Sequence, residues 1–295
     1  MDHVLEAPET AGQRRIRRLK RFARGVLVLA FTYGVVVLAA RVLHRYVLYQ
    51  PPEQDVAAPA PAGATLLTLQ ASDEVTVHAL ELAGSSGRVV VHFHGNAETA
   101  DQNATLGRLL QKHGLGVVLV EYRGYGRSAA GAQRLALPGL SAAPAAPHEA
   151  GLYADAEAVL ADLAARGTRP ENIVLWGQSL GTGVATEMAR RGRGERLVLV
   201  APFTSTVAMA QASVPFLPGA LVMTDTFDSL SKAPALTMPV YVVHGDSDTV
   251  IPLEQGKRLA AAFPHAEFRE VPLGTHVNLY KNTTTFDALV AFATK

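Results

Sequence analysis

The chain has 295 residues, 48% of them hydrophobic and 18% charged, with 27 basic side chains against 26 acidic ones. That length and composition suit one globular domain with a continuous core, plus an additional segment. A formal charge of +1 gives no overall bias toward nucleic acid, and the lack of cysteine excludes a thiol nucleophile, thiolate metal sites and disulfides.

The charge is unevenly placed. Arg14, Arg15, Arg17, Arg18, Lys20, Arg21 and Arg24 crowd residues 1–24, and the run Gly25–Ala40 (GVLVLAFTYGVVVLAA) that follows carries no charge. A basic stretch alone would fit a solvated face or a nucleic-acid arm. Beside an uncharged run close to the ~20 residues that cross a bilayer core, it reads instead as the flank of a membrane anchor over 25–45. Arg24 and Arg41 can extend the span by snorkelling, and Tyr46 and Tyr49 fall where interfacial aromatics sit. A buried core helix and a cleaved signal peptide are the competing readings. The long segment before the apolar run favours a retained anchor. Its basic side is expected in the cytoplasm and the rest of the chain across the membrane.

Residues 46–64, rich in Pro and Ala, read as a linker. Residues 65–295 then form the remaining domain. Strands are expected over Thr65–Leu69 and Val75–Leu82 as an antiparallel start, then over Arg88–Phe93, Gly116–Glu121, Ile173–Trp176, Leu197–Val200, Val240–His244 and Phe268–Val271. Helices are expected over Thr99–Lys112, Gly151–Ala165, Leu180–Arg191, Glu254–Ala262 and Thr284–Ala293. The alternation implies an α/β fold with a mostly parallel central sheet and helices on both faces. Two stretches break the rhythm. Ala129–Pro147 is a long Ala/Pro/Gly-rich loop, and residues 204–231, interrupted by Pro215 and Pro218, read as a small lid over the ends of the strands.

The motif Gly177-Gln178-Ser179-Leu180-Gly181 follows the apolar run IVLW and opens a helical pattern. G-x-S-x-G alone is weak, since about one chain in ten of this size would match it by chance. Between a strand and a helix it fits the sharp turn that lifts a nucleophilic serine clear of a sheet. A serine hydroxyl needs a base, and the base an orienting acid, in the chain order Ser, Asp or Glu, His. Asp246 and Asp248 both follow the strand ending at His244, and each alone would also pass as a turn-former. His276 is the last histidine and lies on the loop after the last strand. An oxyanion site needs backbone N–H donors, which the His94-Gly95-Asn96-Ala97 turn and the residue after the serine can supply. Asn96 and Leu180 are the assigned donors, with Ala97 in reserve for the first.

These motifs, with Tyr122-Arg123-Gly124-Tyr125-Gly126-Arg127-Ser128 and Ala201-Pro202-Phe203-Thr204-Ser205 between them, resemble the membrane-anchored branch of the α/β-hydrolase domain serine hydrolases, from about Val47 to the C-terminus. The resemblance implies an α/β-hydrolase fold after one N-terminal transmembrane helix. It implies a Ser-Asp-His triad in which Asp248 is the acid and His276 the base, and it makes 122–128 a supporting loop. Better-understood eukaryotic relatives cleave fatty thioesters. Two features depart from the pattern: a longer loop between Ser128 and Gly151, and VNLY after His276. The expected chemistry is hydrolysis of a carboxylic ester or thioester through a serine ester. It needs neither metal nor organic cofactor, takes a small or lipid-like acyl substrate and involves no nucleic acid. Because the base must be unprotonated, activity is expected to fall as pH is lowered. An amidase with the same triad, and a non-catalytic tethered binding protein, are the alternative readings.

Overall fold

Runs as continuously apolar as VVVHF, GVVLVE and LVLV are accommodated in a sheet covered on both faces. The computed structural model describes residues 10–52, 59–129 and 145–295. At its centre lie β1 (Thr65–Gln70), β2 (Thr76–Leu82), β3 (Val89–Phe93), β4 (Gly116–Glu121), β5 (Ile173–Gln178), β6 (Arg196–Val200), β7 (Val240–Gly245) and β8 (Ala266–Val271). They form one eight-stranded sheet in the order β1-β2-β4-β3-β5-β6-β7-β8. β2 pairs antiparallel with β1 and β4, and from β4 onward all neighbours are parallel. The expected antiparallel start and parallel remainder are both present.

Alternation along the strands sends side chains into two cores. Val91, Phe93, Leu175, Leu199 and Val242 face α3 (Glu149–Ala165), α4 (Leu180–Arg190) and α8 (Leu253–Ala260). Val90, Val174, Trp176, Val198 and Val243 face α2 (Ala104–Gln111) and α9 (Thr283–Thr294). Each such buried side chain contributes about 1.5–3 kcal/mol.

Two helices have bounds that differ from the expected segments. The helix expected from Thr99 begins at Ala104, because Thr99, Gln102 and Asn103 spend their side chains on local bonds that hold a turn. The N-terminal helix is not confined to 25–45. α1 runs Ala11–Leu48 and takes in the basic stretch, started by a capping box between Thr10 and Gln13. At 1.5 Å per residue its 38 residues reach ~57 Å, and its apolar part is long enough to cross a membrane. The 129–147 loop, apart from its ends, lies outside the described residues, as do residues 53–58.

The stretch 204–231 holds α5 (Thr206–Ser213), α6 (Gly219–Val222) and α7 (Ser229–Lys232). Side chains cap two of them: Ser205 accepts from the Ala208 N–H and Asp228 from the Ser231 N–H. α6 packs against α1. Arg45 makes a two-bond contact with Asp225 at 3.0 and 2.9 Å, and Tyr49 donates to the same carboxylate at 2.9 Å.

Candidate active site

β5 passes into α4 through Ser179, whose backbone sits at φ 50°, ψ −118°. A non-glycine residue held at positive φ costs about 1–3 kcal/mol. The flanking glycines explain how so tight a turn packs. A Cβ on Gly177 would lie 2.5 Å from the Gly181 carbonyl oxygen, and one on Gly181 would lie 2.0 Å from the Phe93 carbonyl oxygen. The Ser179 N–H is tied to the Val200 carbonyl at 2.9 Å. Ser179 stands at the N-cap of α4, yet its hydroxyl makes no capping bond. It donates instead to His276 Nε2 at 3.0 Å.

His276 Nδ1 in turn donates to Asp248 Oδ2 at 2.8 Å, which leaves Nε2 as the acceptor facing the serine. The loops carrying these two residues touch at their glycines: a Cβ on Gly245 would meet the Gly274 carbonyl oxygen at 2.1 Å, and Ser247 N–H donates to that oxygen at 2.9 Å. Asp248 is buried. Its other oxygen accepts the N–H groups of Val250 and Ile251 at 2.8 and 2.9 Å. Burial alone would raise its carboxyl. Contacts from His244 and His276 and the Ile251 N–H outweigh that and hold it well below the usual carboxylate range. Asp246, the other candidate, is exposed and accepts from the Ser247 hydroxyl. Geometry thus joins Ser179, His276 and Asp248 in one chain of bonds and leaves Asp246 outside it.

The turn after β3 lies against the serine, with an added Cβ on Gly95 only 3.3 Å from Ser179 Cβ. Among the described residues no protein acceptor takes the backbone N–H of Asn96 or Leu180. The Asn96 side-chain oxygen accepts from Tyr125 Oη at 2.7 Å and from the Gln50 N–H at 2.9 Å. Tyr122 Oη donates to the His94 carbonyl at 3.2 Å, so the 122–128 loop braces this turn from below.

Sequence reasoning missed Glu98. Its carboxylate accepts from the Gly95 N–H at 3.2 Å, from Asn103 at 3.2 Å and from Gln178 Nε2 at 2.8 Å. It therefore ties the turn after β3 to the residue before the serine. Nearness to Asn96 in the chain was the only available signal. A second buried charge cluster lies at the end of β4. Arg123 donates through its N–H, Nε and Nη2 to Asp155 at 2.8, 2.9 and 2.7 Å, and through Nη2 to Asp73 at 2.9 Å.

Ser179, Asn96 and Leu180 open onto a cavity of about 560 Å³. Its walls are Phe203 and Met209 from the lid side, Ile251 from the Asp248 loop, and Leu43 and Val47 of α1. Few polar groups line it, which is the usual build of a site for an apolar ligand.

A family model described as Hydrolase_4, serine aminopeptidase S33, matches residues 84–230. The chain is 34% identical over 181 residues to an uncharacterized protein of Mycobacterium tuberculosis, covering 61% of this chain and 59% of that one. It is also 34% identical over 196 residues to the lysophosphatidylserine lipase ABHD12 of Danio rerio, covering 59% and 47%. The match thus spans about half to three-fifths of these relatives' own length. The Escherichia coli protein YfhR, also uncharacterized, aligns over 89% of this chain and 90% of its own at 23% identity. Among solved structures, the Pyrococcus furiosus esterase Pf2001 superimposes with TM-score 0.62 at 16% identity, over 83% of this chain and 96% of that one. A cold-adapted esterase from an Arctic intertidal metagenomic library gives TM-score 0.58 at 20% identity, over 82% and 98%. With its sheet order, its strand–serine–helix turn and these similarities, the chain has the α/β-hydrolase fold.

Proposed function

We propose that the chain is a serine hydrolase that cleaves carboxylic esters or thioesters. The observation that carries this reading is the continuous bond chain from Ser179 Oγ through His276 to Asp248, opening onto an apolar cavity. In the first step Ser179 Oγ attacks the acyl carbon while its proton passes to His276 Nε2. Asp248 holds the ring in the tautomer that makes this transfer possible. The oxyanion that forms is met by the N–H groups of Asn96 and Leu180, reinforced by the N-terminus of α4. Collapse of the intermediate breaks the bond to the leaving alcohol or thiol, which takes the proton from His276. Water then loses a proton to His276 and attacks the serine ester. The acid is released and the proton returns to Ser179.

The apolar walls favour an acyl chain as the bound part of the substrate. The name of the zebrafish relative, a lipase for a lysophospholipid, supports the same class. The family model's description favours an amide reading, as an aminopeptidase. Such an enzyme needs an anion for the substrate's α-ammonium group. Among the described residues lining the cavity there is no Asp or Glu, so the ester reading is the stronger. α1 is the proposed membrane anchor, with its basic end cytoplasmic and the hydrolase domain on the opposite side.

The test is labelling of the detergent-solubilised protein with a fluorophosphonate probe. Wild type is expected to label and Ser179→Ala to stay unlabelled. A folded wild type that does not label would reject the serine-hydrolase reading in favour of a tethered binding protein.

A further inference from the structure

Three features of α1 reach beyond anchoring. First, its last turns are part of the cavity: Ala40, Leu43, His44, Val47 and Leu48 face the same space as Ser179. Second, those turns are fastened to the hydrolase domain. Arg45 and Tyr49 converge on Asp225, whose side chain is 4% exposed, and Thr224 Oγ1 lies 2.9 Å from His44 Nε2. The Gln50 N–H ends the run on the side chain of Asn96. Third, the lid travels back along the helix. Arg41 donates to the Leu221 carbonyl at 2.8 Å, and Tyr33 donates to the Phe216 carbonyl at 2.7 Å. Eight residues of helix separate these two contacts, so the lid tip lies ~12 Å further along the axis than Leu221.

Tyr33 sits in the middle of the uncharged run Gly25–Ala40. A segment bonded there shares the depth of that run in the membrane. The lid segment fits that environment, because Val214–Met223 (VPFLPGALVM) has no charged or polar side chain. Phe216 and Leu221 are 72% and 61% exposed, a poor arrangement in water for two large apolar groups in one short segment. Beside a spanning helix it is a favourable one.

From this we infer that the last turns of α1 are a wall of the acyl-binding site, and that the lid tip sits in the bilayer leaflet beside α1, so that the cavity fills laterally with the acyl chain of a membrane lipid. The inference rests on the serine-hydrolase reading for what happens to that chain, but not for the geometry.

The natural absence of cysteine makes single-cysteine probes clean. Full-length Phe216→Cys, Leu43→Cys and, as a reference on the exposed β2–β3 loop, Ser85→Cys would be labelled with an environment-sensitive fluorophore and placed in phosphatidylcholine vesicles. Lipids carrying a quencher on the acyl chain are expected to quench the first two probes and spare the third. A Phe216 probe no better quenched than the Ser85 probe overturns the inference. This readout needs no catalysis, so it stands apart from any failure of Ser179 to label with fluorophosphonate.

The wall is read separately by placing Trp at Leu43. The ratio of kcat/KM for p-nitrophenyl dodecanoate over the butanoate ester is expected to fall about tenfold or more. Leu38→Trp, an exposed residue of α1 away from the cavity, should leave that ratio unchanged. Equal ratios in the two variants would overturn α1's role in the site, even with both lid probes quenched.

Discussion

Two clusters of buried charge stand at the carboxyl ends of the strands, and they differ in how they finish. Arg123 is bound on both sides by carboxylates, Asp155 within and Asp73 at the rim. The Asp248 cluster has equally deep burial at its acid, but its bonds run outward through His276 to a hydroxyl facing a cavity. The first is closed by ions on both sides of a fixed cation. The second ends in a ring nitrogen that can accept a proton. Burial of charge alone therefore does not mark a site. A reactive centre also needs an end group able to change its protonation and a space for a substrate beside it.

The largest expected effect breaks the reactive end. Ser179→Ala should lower kcat by ~10⁶ in any ester assay that detects wild type. Asp248→Asn should lower kcat by up to ~10⁴, because the wrong tautomer of His276 is then favoured. Asp246→Asn should change turnover far less, and the reverse ranking would move the acid role to Asp246. Arg123→Met should act on stability instead. It leaves Asp155 buried without its cation, at a cost of about 3–5 kcal/mol read from the denaturation midpoint. A kinetic defect in Arg123→Met without that loss would erase the contrast between the clusters.

The smallest effect is at Asp73, whose side chain is 42% exposed. Its hydrogen bond with Arg123 lowers its carboxyl below the usual value. A depressed carboxyl contributes stability above its unfolded pKa, near 4, and loses it as pH falls through the folded value. Solvent screening limits the contribution to ~1 kcal/mol or less. Asp73→Asn should therefore lower stability at neutral pH by at most that amount and converge with wild type in acid, which flattens the loss of stability below about pH 4. An unchanged acid limb would show that this outer bond contributes nothing.

Much of the sheet was legible because buried strands leave unbroken apolar runs, as in Val89–Phe93 and Gly116–Glu121. The serine turn was legible for a related reason: a Cβ on either flanking glycine would run into a backbone carbonyl oxygen, so glycine is required there and stands out in the sequence. The choice between Asp246 and Asp248 was not readable from residue type or order, since both follow the same strand. What separates them is burial and the loop's own N–H groups, which depend on how residues 248–251 fold back. Glu98 was hidden because its distant partner, Gln178, comes beside it only when β3 and β5 pair. The start of α2 was misplaced because side-chain bonds at Thr99 and Gln102 outcompete helix there. The part α1 takes in the cavity was hidden by distance along the chain, since Arg45 and Asp225 are 180 residues apart.

The convergence of Arg45 and Tyr49 on Asp225 also bears on how the protein can be handled. A soluble fragment beginning at Pro51 would keep every residue of the Ser179–His276–Asp248 chain. It would strand a buried carboxylate without its cation and remove one side of the cavity. The turn at Asn96 would lose the Gln50 N–H as well. Removing α1 would therefore change the shape of the cavity, and inhibitors selected on such a fragment would be fitted to a cavity the intact molecule does not have.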